Sequence, residues 1–138
     1  MSANAKIIFC DSFQQSIDNG KIIPSLRTPI TSISPYAVPG NFSFCIYCSV
    51  SGLSIAESKS VELQLVGYDN EIIFTTSKIK LSEMNLKAID DMYRPLELAV
   101  DLRNVLIMKR EPLVAKLFVN EKIIASEKLT VKSVKTSQ

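Results

Sequence analysis

A chain of 138 residues, 46% hydrophobic and 22% charged, has the size and composition of one globular domain that can bury its apolar surface without disulfides or metals. Sixteen basic against fourteen acidic residues leave a net charge of +2, too balanced to mark a nucleic-acid or anionic-membrane protein. The chain contains no histidine, which excludes Ser-His-Asp and Cys-His catalysis and every His-ligated metal site, and its four glycines stand too far apart to cradle a phosphate.

In chain order, the opening MSANAKIIFCDSF has one lysine and a short apolar run ended by Asp11, shorter than the core of a secretory signal. No window holds the ~18 apolar residues of a membrane span. The expectation is a cytoplasmic protein, away from membranes, with its three cysteines reduced. Residues 5–10 read as a strand. Asn19-Gly20 predicts a type I′ turn, because both residues tolerate positive φ, with a second strand from Lys21. Residues 11–18 exceed what a minimal hairpin needs, which suggests a bulge or loop there. Pro24, Pro29, Pro35, Pro39 and Gly40 assign residues 24–40 to edge strand and loop, since proline cannot donate to a ladder.

Residues 42–50 form the next strand, followed by residues 61–68, a turn at Asp69-Asn70 and a returning strand over 71–76. Residues 82–92 contain better helix formers and a possible Ser82 cap, so they read as a loop with at most one short helix, stopped before Pro95. The clearest period-two pattern is LELAVDLR, residues 96–103, with Leu96, Leu98, Val100 and Leu102 on one face. Residues 113–119 alternate likewise and turn at Asn120-Glu121. Residues 122–125 and 129–134 return, as one strand with a break near Ser126-Glu127. The chain therefore reads as a single domain over 1–134 with a frayed tail at 135–138.

Seven to eight short strands with little helix predict an all-β antiparallel sandwich, with a closed barrel as the alternative. The chain also resembles an uncharacterised family of small bacterial proteins with an immunoglobulin-like β-sandwich. The resemblance rests on IIFCDSF, DNGKIIPSL, PYAVPGNFSFCIYCSV, LELAVDLRNVLI and PLVAKLFVNEKIIASEKLTV, and it covers nearly the whole chain. It departs at Arg110-Glu111-Pro112, where such proteins often carry Gly-x-Tyr. It implies an immunoglobulin-like fold and no catalytic residue or activity.

Within FCIYCSV the cysteines have metal-knuckle spacing. On a strand, however, Cys48 shares parity with Phe42, Phe44, Ile46 and Val50, while Cys45 points to the opposite, polar face. Such thiols cannot bond each other or pinch one ion, and with Cys10 the only other thiol, no metal or cofactor is expected. Cys45 is the cysteine to test for exposure. Asp18, Asp69, Asp90 and Asp91 are dispersed, as turn-forming acids are.

The candidate partner surface is Val105, Leu106, Ile107 and Met108, flanked by Lys109 and Arg110. Here alternation gives way to an apolar run, which reads as a buried bend or as a patch covered by another protein or a second copy. The function expected is a non-enzymatic protein–protein interaction or structural module. An accessory or inhibitory role in conflict between bacteria and mobile elements would suit a domain of this size. The alternative is a ligand or nucleic-acid binder using the basic C-terminal third, where residues 101–138 hold eight basic and four acidic residues. Tyr47 and Tyr68, on polar strand faces, would serve that alternative as stacking groups.

Overall fold

The computed structural model describes residues 4–52, 60–67, 69–80 and 96–132. They form ten strands: β1 (Asn4–Asp18), β2 (Lys21–Ile30), β3 (Ser32–Ile33), β4 (Gly40–Ser51), β5 (Ser60–Val66), β6 (Ile72–Thr75), β7 (Ile79–Lys80), β8 (Leu96–Ile107), β9 (Leu113–Val119) and β10 (Lys122–Val131). Among the described residues there is no helix, and so none long and apolar enough to cross a membrane. The segment 82–92, expected as loop or short helix, lies outside the described residues, as do Tyr68 and the tail.

Two sheets face each other. One has the order β2-β1-β4-β8, antiparallel throughout; the other runs β3-β10-β9-β5-β6, with β7 also paired to β5. Neither closes on itself, so the chain is a sandwich and not a barrel. The sheet orders β1-β4-β8 and β10-β9-β5-β6 reproduce the two-sheet arrangement of the immunoglobulin fold, with β3 added parallel to β10.

Alternating side chains build the core. Phe9, Phe44, Ile46, Cys48 and Val50 of one sheet meet Leu63, Leu65, Ala115, Leu117 and Leu129 of the other, all buried. Phe9 and Phe44 pack ring against ring, 6.1 Å between centroids and tilted by 59°. The parity expected for residues 42–50 holds from Phe44 onward.

Three expected boundaries shift. Residues 11–18 are strand and not loop: β1 runs to Asp18 and pairs with β2 down to Asp18–Lys21, closing at Asn19 (φ 52) and Gly20 (φ 76). A hairpin arm satisfies its ladder through its partner strand alone, so it needs no apolar pattern. β10 is continuous, and its irregularity falls between Ile123 and Ala125, not at Ser126-Glu127. The edge opposite β5 is broken in the middle. There Thr76 N–H donates to the Leu63 carbonyl at 3.0 Å, and Thr76 Oγ1 accepts from Leu63 N–H at 3.0 Å, so a hydroxyl continues the ladder across the gap between β6 and β7. The prolines at 24 and 29 fall on β2, an edge strand as expected.

Candidate functional site

The run after residue 103 bends because of a β-bulge. Phe42 pairs with Val105 and Phe44 with Leu102, so Ser43 alone faces both Arg103 and Asn104. Asn104 takes the left-handed conformation (φ 55), which asparagine tolerates, and its N–H donates to Ser43 Oγ at 3.0 Å. One extra residue reverses the parity of the rest of the strand. Val105 and Ile107 therefore enter the core, while Leu106 and Met108 turn outward. The alternation that breaks off in the sequence is restored one residue out of phase.

Leu106 and Met108 form one wall of a groove of about 510 Å³ at this end of the sandwich. The opposite wall comes from Gly67, Asp69, Glu71 and the first residues of β6, Ile72 and Ile73. Buried Ile107 and Leu113 lie deepest among the lining residues. Leu106 (53% exposed), Met108 (57%) and Ile72 (55%) account for half of the exposed large hydrophobic side chains among the described residues, which makes this groove the main apolar concentration on that surface.

Its turn wall is held in shape. Gly67 N–H donates to the Glu71 carbonyl at 2.8 Å, Asn70 N–H to the Gly67 carbonyl at 3.1 Å, and Lys116 Nζ to Asn70 Oδ1 at 3.3 Å. Around the apolar centre stand Asp69, Glu71 and Glu111, three carboxylates against one ammonium, Lys109. Asp69 reads in sequence only as a turn former, and no local pattern puts residues 69–72 opposite 106–109.

The structure divides the six residues of the expected partner surface. Leu106, Met108 and Lys109 are exposed in the groove, Ile107 lies deep in it, and Val105 is in the core. Arg110 is committed internally: its guanidinium donates to the carbonyls of Lys132 (2.6 Å) and Pro35 (3.2 Å), tying the end of β10 to the segment after β3.

A second cluster lies on the outer face of the first sheet. Cys10, Cys45 and Asp101 are register partners in one row across β1, β4 and β8. Cys45 Sγ–H donates to Asp101 Oδ1 at 3.3 Å, and Arg103 Nε lies 3.0 Å from the same carboxylate. Cys45 is on the polar face, as its parity requires, yet only 2% exposed; Cys10 is fully buried. Burial pushes the Cys45 thiol up to about 12, helped by its hydrogen bond to Asp101 and that residue's charge. Burial alone pushes Cys48 up to about 12, and burial also raises Cys10. Tyr47 is pushed up to about 12 by burial and a hydrogen bond to Glu97; its ring stacks on Phe13, centroids 6.3 Å apart. Among the described residues no three His, Cys, Asp or Glu side chains are placed to hold a metal ion. Asp90 and Asp91, read in sequence as turn-forming acids, lie outside them.

The basic residues of the C-terminal third are spread over several surfaces. Arg103 pairs with Asp101, Arg110 with carbonyls and Lys116 with Asn70, while Lys109 stands among the groove acids. Lys122, Lys128 and Lys132 are exposed along and just beyond β10.

No protein-family model matches the chain, and no curated protein matches it. Among solved structures, it is similar to an immunoglobulin-like protein from Pseudomonas aeruginosa. That similarity has a TM-score of 0.47 and 9% identity, over 96% of this chain and 98% of the other.

Proposed function

We propose that this chain is a non-enzymatic binding module that holds a segment of another protein in the groove between β6 and the end of β8. The observation that carries this is the meeting of three half-exposed apolar side chains, Ile72, Leu106 and Met108, over an apolar floor. A groove of about 510 Å³ accommodates a few side chains of an extended or helical segment. The rim of Asp69, Glu71 and Glu111 selects partners whose apolar residues are flanked by lysine or arginine, and it disfavours a polyanion at this place. The thiols support the non-enzymatic part of the reading. A cysteine that turns over substrate quickly at neutral pH needs a lowered pKa, and burial beside a carboxylate moves Cys45 the opposite way.

The test uses Leu106→Glu and Met108→Glu in the groove, with Ile123→Glu, an exposed apolar residue outside it, as control. A peptide library screened on the wild type should yield basic-flanked apolar sequences. Groove variants should bind these at least about tenfold more weakly, and the control should be unchanged. Light scattering on the same proteins separates a foreign partner from self-association, since a dimer lost in Met108→Glu identifies the occupant as a second copy. Equal binding by wild type and both groove variants would remove the proposal.

A further inference from the structure

We propose that Cys10 and Cys45 form a cross-strand disulfide, locking β1 to β4, when the protein meets a hydroperoxide. The two cysteines are direct register partners on antiparallel neighbours, and both are free. Directly opposed residues hold their Cβ atoms about 4.5–5.5 Å apart, and a disulfide needs about 3.5–4.5 Å, so the ladder has to close by about 1 Å. Cys48 cannot compete: it pairs with Ile7 on the core face of the same sheet. Oxidant has a short way in. Cys45 touches Asp101, whose side chain is 54% exposed, and Arg103 beside it is 60% exposed, so the thiol lies one side chain from solvent.

The chemistry balances with the hydroperoxide as the only co-reactant. Cys45 gives up its proton and its sulfur attacks one peroxide oxygen. The O–O bond breaks, an alcohol or water leaves with a proton, and Cys45 becomes a sulfenic acid. The Cys10 sulfur then attacks that sulfur, the S–O bond breaks, the S–S bond forms, and water departs with the Cys10 proton. Two thiols lose two electrons and the hydroperoxide gains them. Because the thiols are held protonated, the first step is slow at neutral pH and quickens by roughly tenfold per pH unit below the thiol pKa.

The test treats folded protein with hydrogen peroxide, quenches, then unfolds and alkylates without reductant. Wild type should be 2 Da lighter before alkylation, take up one alkyl group and give a linked peptide joining residues 10 and 45. Cys48→Ser should show the same link and take up none. Cys10→Ser and Cys45→Ser should form no intramolecular link. The oxidised wild type should also melt at a higher temperature, reversibly with dithiothreitol. Three alkylatable thiols after oxidation of the folded wild type, a link containing Cys48, or a link formed only in urea-unfolded protein would each overturn the proposal. Should a serine variant fail to fold, the peptide map of wild type and Cys48→Ser decides alone.

Discussion

Leu106 and Ile107 are neighbours in one apolar run, and the bulge at Asn104 assigns them opposite fates. Ile107 is 1% exposed in the core and Leu106 is 53% exposed in the groove. Truncating a buried isoleucine to alanine costs roughly 2–5 kcal/mol, the removed methylenes plus the cavity left behind. Fully burying a leucine is worth about 1.5–3 kcal/mol, so a half-exposed one truncated at a surface where water fills the space costs at most about 1 kcal/mol. For a chain this long, 1 kcal/mol moves the melting temperature by about 3–4 °C. Ile107→Ala should therefore melt roughly 10 °C lower, and Leu106→Ala about 3 °C lower or less. Urea unfolding of both, with matching slopes, measures the difference directly. If the two variants lose equal stability, or Leu106→Ala loses more, the parity reversal after Asn104 is wrong and the groove built on it falls as well.

Local geometry sets three more outcomes. Asn120 (φ 52) and Glu121 (φ 67) form a tight turn in which glutamate occupies the left-handed region, so Glu121→Gly should raise stability by about 0.5–1 kcal/mol despite losing its exposed ion pair with Lys78; a lower urea midpoint would refute this. A Cβ at Gly40 would overlap the Ala37 carbonyl oxygen, so Gly40→Ala should cost about 1–3 kcal/mol through displacement of the segment before β4, read as a lowered melting temperature; an unchanged midpoint would refute it. Burial raises the pKa of all three cysteines, so the folded state keeps protons that the unfolded chain releases above about pH 9. This stability is fully present below that pH and lost as pH rises toward about 12. A triple cysteine-to-serine variant should show a shallower alkaline loss, and identical slopes for the two proteins would contradict the assignment.

Period-two patterning made the sandwich legible because one face of each strand is buried: residues 46–50, 61–65, 96–102 and 113–119 carry their burial in plain alternation. The hairpin turns at Asn19-Gly20 and Asn120-Glu121 were legible for a related reason, since asparagine tolerates positive φ. The arm over residues 11–18 was not, because its ladder is satisfied by β2 whatever its side chains are. The groove was half legible. Residues 105–108 announced themselves as an apolar run, but the bulge that splits them depends on one β4 residue facing two on β8. The acids opposite are ordinary turn residues until the fold brings them to the same groove.

The cysteines show the same boundary between local and long-range information. Strand parity alone separates Cys45 from Cys48 and disposes of the C-x-x-C spacing as a chelate or redox pair. Parity cannot say which strand lies alongside, and it is the neighbouring strand that gives Cys45 its partner. Pairing of β1 with β4 sets Cys10 opposite Cys45, and pairing of β4 with β8 sets Asp101 on its other side. A face that looks polar in sequence thus buries two thiols. Both the groove and the thiol pair arise from which strands are neighbours and in what register. That is why the two places for which binding and reaction are proposed are the ones a single strand's pattern describes least well.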